Sequence, residues 1–231
     1  MRVYLAGPDS NLQCDAVRDM PVLLSFGYAK KVALELAPVF SSVLMDSGAY
    51  SAFSTGKLID VDEYKEWSQK WRPVCDAIAG LDSIDGDYKK GIENFRKIPW
   101  SFPTMHDTDP MEILPELIDI AYQNRIRPGA KPWIGIGLKP PRQGKERFIR
   151  EVCAQIPDDI HIHGWALRAY THIRRLNSVD STSWWRDAFS HKRDLPWLTM
   201  GECLEIVVKK YKRWERKIIE PDQNGLPFEG E

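Results

Sequence analysis

Pro132-Trp133-Ile134-Gly135-Ile136-Gly137-Leu138 is a short β-type run, the amphipathic and charged stretch Lys145-Glu146-Arg147-Phe148-Ile149-Arg150-Glu151-Val152 follows it, and Ile160-His161-Ile162-His163-Gly164 is a second β-type run. A strand, a helical pattern and another strand make a βαβ unit, and such alternation implies parallel strands. Outward from this unit the pattern repeats, with β-type runs at 2–6, 21–26, 42–46, 74–81, 102–106, 132–138, 160–164 and 177–180. Most are separated by stretches such as Val61-Asp62-Glu63-Tyr64-Lys65-Glu66-Trp67 and Met111-Glu112-Ile113-Leu114-Pro115-Glu116-Leu117-Ile118. Eight units predict an α/β fold of the (β/α)8 TIM-barrel class, a single domain that is lean beside the ~250 residues usual for that architecture. The competing open doubly wound sheet usually carries a glycine-rich phosphate turn after its first strand, and Gly7-Pro8-Asp9-Ser10-Asn11 is not one.

After residue 185 the pattern changes, and a helix is expected over about 200–219, carrying Lys209, Lys210, Lys212, Arg213, Arg216 and Lys217. This helix should pack on the barrel wall with its basic face in water. The barrel domain with its C-terminal helix then spans 1–219. Residues 220–231, where Pro221, Gly225, Pro227 and Gly230 stand among acidic residues, read as a loosely held tail.

With 231 residues, 43% of them hydrophobic, the chain can bury one sizeable core. Its formal charge of −1 supplies no global basic field, so a nucleic-acid partner has to be gripped by a local patch. Cys14, Cys75, Cys153 and Cys203 are far apart and form no CxC or CxxC pair of the kind that holds zinc, so reduced thiols, no metal and no zinc subdomain are expected. The opening apolar run is too short for a signal peptide, and no segment approaches the ~20 apolar residues that span a bilayer. A soluble, cytoplasmic protein is the expectation.

In such a barrel the C-terminal strand ends form the catalytic rim, and here they carry Gly7, Asp46, Asp82, His106, Gly137, His163 and Asp180. Two of these sit in stretches of one design, an apolar run ending in aspartate and followed by small hydroxyl residues and an aromatic: Leu44-Met45-Asp46-Ser47-Gly48-Ala49-Tyr50 and Ser178-Val179-Asp180-Ser181-Thr182-Ser183-Trp184. Each has an ordinary structural reading, Asp46 as a turn residue bonding its own backbone and Asp180 as the N-cap of a helix over 182–189. At one barrel mouth, however, they resemble the paired carboxylates of glycosyl transfer, one attacking the anomeric carbon and the other managing the leaving group's proton.

Met45-Asp46-Ser47-Gly48-Ala49-Tyr50 resembles the Asp-Ser-Gly-Gly-(Tyr/Phe) motif of the tRNA-guanine transglycosylases, enzymes that exchange guanine for a 7-deazaguanine. Trp133-Ile134-Gly135-Ile136-Gly137-Leu138 is similar to that family's Ile-Gly-Gly-Leu strand, His161-Ile162-His163-Gly164 to its Leu-Met-Gly strand, and Val179-Asp180-Ser181-Thr182-Ser183-Trp184 to its archaeal Phe-Asp-Ser-Ala-Ser-Tyr form. The motifs stand in the family's order over roughly residues 40–190. The resemblance implies Asp180 as the nucleophile on C1′ of the sugar and Asp46 as the general acid/base, with Ser47 and Gly48 beside it. It implies that Tyr50 stacks on one face of the base and His163 closes the other, and that Gly137 and Leu138 offer backbone groups to the base edge. Gly164 and Trp165 continue the site, and Trp165 adds a stacking surface. Asp82 matches the base-reading aspartate by strand position, with Asp85 as competitor, and His106 stands where a base-reading glutamine is expected. Both have plain alternatives, a loop-shaping aspartate and a half-buried histidine bonded to a neighbour. No cofactor is implied.

The chain departs from the tRNA enzymes in lacking their CxCxxC zinc cluster, the glutamine after the first motif, where Ser51 follows Tyr50, and any added RNA-binding domain. In this it resembles the phage and bacterial DNA 7-deazaguanine transglycosylases, and DNA with an accessible guanine, together with a free 7-deazaguanine base, becomes the expected substrate pair. Phosphate contacts are expected from Lys139, Arg142 and Lys145 in the loop after the sixth strand, and from Arg168. Rival readings are a tRNA-guanine transglycosylase, a nucleoside 2-deoxyribosyltransferase, whose opening strand Tyr4-Leu5-Ala6-Gly7-Pro8 resembles, and an inactive barrel that binds nucleic acid or a partner protein.

Overall fold

The computed structural model describes residues 1–140 and 144–219, with side chains through Glu215. Its strands are β1 (Arg2–Ala6), β2 (Pro21–Ser25), β3 (Ser42–Asp46), β4 (Ala77–Ile78), β5 (Thr104–His106), β6 (Trp133–Gly137), β7 (His161–Gly164) and β8 (Ser178–Ser181). They form one sheet in the order β4-β3-β2-β1-β8-β7-β6-β5, with parallel ladders. β4 and β5 stand at its two ends, and a parallel bridge between Ala79 and Phe102 joins them. Phe102 N–H donates to Ile78 O and Gly80 N–H to Phe102 O, both at 2.8 Å. The chain therefore adopts the expected TIM-barrel class as a single domain.

The strand expected over 74–81 shrinks most. Residues Arg72–Val74, with Pro73 inside, form a 3-10 turn, and only Ala77–Ile78 stay in the ladder before the chain leaves towards Asp82. The run expected from 102 narrows to Thr104–His106, with Phe102 kept on the bridge.

Alternation along each strand sorts side chains between two cores, as the period of two requires. In β1 Val3 and Leu5, and in β6 Ile134 and Ile136, are fully buried in the layer between sheet and helices. Tyr4 and Trp133 belong instead to an inner cluster with Leu23, Leu44, Ala77, Ala79 and Phe102, which fills the barrel. Burial of each aliphatic side chain contributes about 1.5–3 kcal/mol.

The helices are α1 (Asn11–Ala16), α2 (Lys31–Glu35), α3 (Ala49–Ser54), α4 (Val61–Trp71), α5 (Tyr88–Lys97), α6 (Leu114–Gln123), α7 (Glu146–Gln155), α8 (Ser183–Asp194) and α9 (Met200–Ile219). α4 shows why its segment is helical: Asp60 caps it, accepting from Asp62 and Glu63 N–H at 2.9 and 3.0 Å, and both acidic residues favour its first turn. Between β7 and β8 there is only a 3-10 turn, Arg168–Tyr170. The helix expected over 182–189 is α8, and its cap position is Thr182. Asp180 belongs to β8, so the reading of it as a helix cap is corrected.

α9 packs on α8 and α1 through Cys203, Leu204, Val207 and Tyr211. Glu215 reaches the start of the barrel, where its Oε1 accepts from Val3 N–H at 3.2 Å. Lys209, Lys210 and Lys212 lie outward and pair loosely with Glu205, Asp187 and Asp19 at 3.5–3.9 Å. The expected tail over 220–231 lies outside the described residues. Among those residues, no helix is long and apolar enough to cross a membrane.

Candidate active site

β3 and β2 end side by side, in a register that sets Ser25 opposite Asp46. Asp46 Oδ2 accepts from Ser25 Oγ at 2.8 Å and from Gly48 N–H at 3.1 Å. Gly48 has φ +72°, and a Cβ on it would lie 2.7 Å from Phe26 O, so the turn from β3 into α3 needs glycine there. Ser47 is buried beneath this turn, its Oγ accepting from Ala49 N–H at 3.3 Å. Its place is structural and its hydroxyl does not face the mouth's solvent. Tyr50, in the first turn of α3, is 54% exposed and stands at the rim.

Burial is the main influence on Asp46 and raises its pKa; the Ser25 hydrogen bond opposes this, and the charges of Asp82 and Asp180 push further up, bringing it from 3.8 to about 6. Asp46 ends β3, Asp82 follows β4 and Asp180 stands in the last half of β8, so the parallel sheet carries all three towards the same end of the barrel.

Asp180 stands in β8 with 7% of its surface exposed. Its Oδ1 accepts from Ala166 N–H at 2.6 Å, and His163 Nε2 lies 3.6 Å from the same oxygen. Ala166 has φ +52°, a left-handed conformation that costs a non-glycine residue about 1–2 kcal/mol. The strained backbone delivers its N–H to the carboxylate.

His163 is fully buried, edge-on to Tyr4 at 5.9 Å and to Trp165 at 4.4 Å. The expectation that it closes one face of a base is therefore corrected: Trp165 covers it from above. Trp165 is only partly buried; its Nε1 donates to Thr104 Oγ1 at 3.1 Å and its ring stacks on Phe102 at 5.9 Å. Trp165, and not His163, has an aromatic surface available at this end of the barrel. Gly164 is buried against Leu167, whose side chain would lie 3.0 Å from an added Cβ.

Asp82 and His106 form a dyad, with Oδ2 and Nε2 2.7 Å apart and both side chains under 15% exposed. Burial disfavours the charged imidazole, but the hydrogen bond and charge of Asp82 outweigh it and hold the His106 pKa above the ordinary histidine value. Asp85, the competitor, bonds Ser83 Oγ at 2.8 Å and Asp87 N–H at 3.2 Å in an exposed turn, which makes it the loop-shaping residue. The space behind the dyad, walled by Tyr88, Phe95, Thr104 and Asp109, is about 10 Å³, the room of one water.

A Cβ on Gly137 would lie 2.6 Å from His106 Nδ1, and one on Gly135 2.5 Å from Trp165 Nε1. The missing side chains make room for the His106 and Trp165 rings. Leu138, just beyond, is buried.

Lys139 N–H donates to Asp107 Oδ1 at 2.8 Å, and Lys145 Nζ is held by Asp107 Oδ2 and, at 2.7 Å, by Lys139 O. Arg168 bonds Ser183 Oγ at 2.8 Å and Tyr211 OH at 3.1 Å, and lies over the Tyr211 and Trp214 rings at 5.3 and 5.4 Å. Both cations are neutralised or enclosed within the molecule, so the phosphate-gripping role expected of Lys145 and Arg168 is corrected. Arg142 lies outside the described residues. Sequence reading missed Ser25, Ala166, Thr104 and Ser178; Ser25 alone carries a signal, as a hydroxyl at the strand end beside Asp46.

No family model matches the chain, and no curated protein matches it. Among solved structures, it is similar to the YdjI aldolase from Escherichia coli K12, with a TM-score of 0.50 and 8% identity over 97% of this chain and 93% of that one. At that identity the likeness is one of fold.

Proposed function

We propose that this protein exchanges guanine in DNA for a 7-deazaguanine base through a covalent Asp180–sugar intermediate. The observation that carries the reading is the pair of unlike carboxylates at one mouth: Asp46, with a pKa raised to about 6, and Asp180, oriented by the Ala166 N–H at 2.6 Å. Unlike environments separate an acid from a nucleophile. Asp180 Oδ2 attacks C1′ as the C1′–N9 bond breaks, and the departing guanine takes the proton of Asp46 at N9. The incoming base then returns its N9 proton to the Asp46 carboxylate, attacks C1′ and releases Asp180. The configuration is retained through two inversions, and ping-pong kinetics follow.

Tyr50 and Trp165 supply the stacking surfaces in this reading, and the Asp82–His106 dyad reads the base edge. The test is to incubate the protein with guanine-containing DNA and isolate the denaturation-resistant adduct. Asp180→Asn should bind DNA and form none. An adduct that persists in Asp180→Asn, or base exchange on free deoxynucleosides without a polymer, overturns the proposal. Running tRNA and DNA side by side identifies the polymer.

A further inference from the structure

Among the described residues, His163 Nε2 is the buried side-chain nitrogen or oxygen left with no hydrogen-bond partner. A polar atom left unpaired inside a protein is costly, so its orientation calls for a cause. The ring is packed against Tyr4, Trp133 and Trp165, and Ser178 Oγ lies 2.8 Å from Nδ1. Ser178 Oγ also lies 2.7 Å from His161 Nε2. His161 stacks on Trp133 at 3.6 Å, and burial is the main cause that lowers its pKa, so it carries a single ring proton at neutral pH.

One hydroxyl proton cannot serve two imidazoles. If Ser178 donates to His161, a neutral His163 must put its proton on Nδ1 and turn a bare lone pair at the Asp180 carboxylate. If His161 donates to Ser178 and Ser178 to His163 Nδ1, the His163 proton sits on Nε2 and faces Asp180 Oδ1, 3.6 Å away. The second arrangement bonds both imidazoles through Ser178 and sets a donor, not a lone pair, against the Asp180 acceptor.

We propose that His163 is a positioning residue for Asp180: a neutral Nε2–H donor that shares Oδ1 with the Ala166 N–H and leaves Oδ2 free to attack. The role in the reaction rests on the transglycosylase reading, but the placement of the proton does not. Closing the gap by about half an ångström makes a hydrogen bond. While the sugar ester exists Oδ1 is an uncharged carbonyl oxygen; when the ester breaks the charge returns to it, and both donors stabilise the departing carboxylate.

Long-range proton–nitrogen NMR on the full chain, with nitrogen-labelled histidine at pH 7, reads the proton directly. Neutral His163 protonated on Nε2 is expected. Protonation on Nδ1, or a cation, overturns the proposal whatever the protein's activity. Kinetically, His163→Phe keeps the ring packing and loses the donor, so the isolated DNA adduct should accumulate and its chase by free base should slow about 10–100-fold, while His163→Gln recovers most of the rate. A chase as fast in His163→Phe as in the parent also overturns it. The expected tautomer in a protein that forms no adduct with any guanine-containing polymer supports the donor assignment and retires the exchange chemistry instead.

Discussion

Asp46 and Asp180 are the same residue type at the same end of parallel strands, and their surroundings differ: Asp46 accepts from Ser25 and Gly48, Asp180 from Ala166. Because Asp46 moves from 3.8 to about 6, the folded chain keeps between those values a proton that the unfolded chain has released. Its contribution to stability is therefore highest below pH ~4 and is lost as pH rises through about 6. The full shift corresponds to ~3 kcal/mol, reduced by the part of the side chain open to water. Asp46→Asn should raise the unfolding free energy at pH 7.5 by about 1–3 kcal/mol and change it little at pH 4, as read by denaturant unfolding at both pH values. An equal gain at both would break this account. Gly137→Ala makes a second test, since its Cβ would fall 2.6 Å from His106 Nδ1. The ring must move away from Asp82, so the His106 pKa should fall in an NMR titration, at a cost of about 1–3 kcal/mol in stability. The rim positions of Asp46, Asp180, Asp82 and His106 were legible at this scale because strand ends in a barrel form its rim, but the bond between Asp82 and His106 was not. The depth of His163 was not: alternation says that it points inward, but only the packing of Trp165 over it says that no base can reach it.

At the level of elements, the strands were legible where β-branched residues alternate with small or aromatic ones, as in Trp133-Ile134-Gly135-Ile136-Gly137. β4 was overdrawn because Pro73 and the departure towards Asp82 trim it from both sides. Arg168 shows the same limit for charges. A basic residue in a rim loop reads as a phosphate contact, and here it ties the 3-10 turn after β7 to α8 and α9 through Ser183, Tyr211 and Trp214. Lysine cannot cover two rings and hold two hydroxyls in one plane. Arg168→Lys should cost about 1–3 kcal/mol and speed amide exchange in α9, while the amides of β1–β3 keep their protection. Unchanged exchange in α9 would mean that the helix is held by its apolar face alone.

On the whole-molecule scale, electrostatics bear on how a polyanion could be held. The net charge is −1, Lys145 is paired to Asp107, and Arg168 is enclosed. If DNA is the partner, its affinity should fall with salt through few contacts. Neutralising Lys139 and Arg142 should flatten the plot of log affinity against log salt by about 0.9 per contact, and Arg168→Gln should leave the slope alone. A slope that responds to Arg168 would show that α9 opens on binding. The ring itself imposes an order of events. Its first stave, β1, pairs with β2 on one side and with β8 on the other, Arg2 opposite Ser178. On the ribosome, β1 must wait with an unpaired edge until β8, more than 170 residues later in the sequence, has emerged, and Glu215 settles on Val3 later still. Translation speed and chaperone cover during that interval thus become determinants of yield.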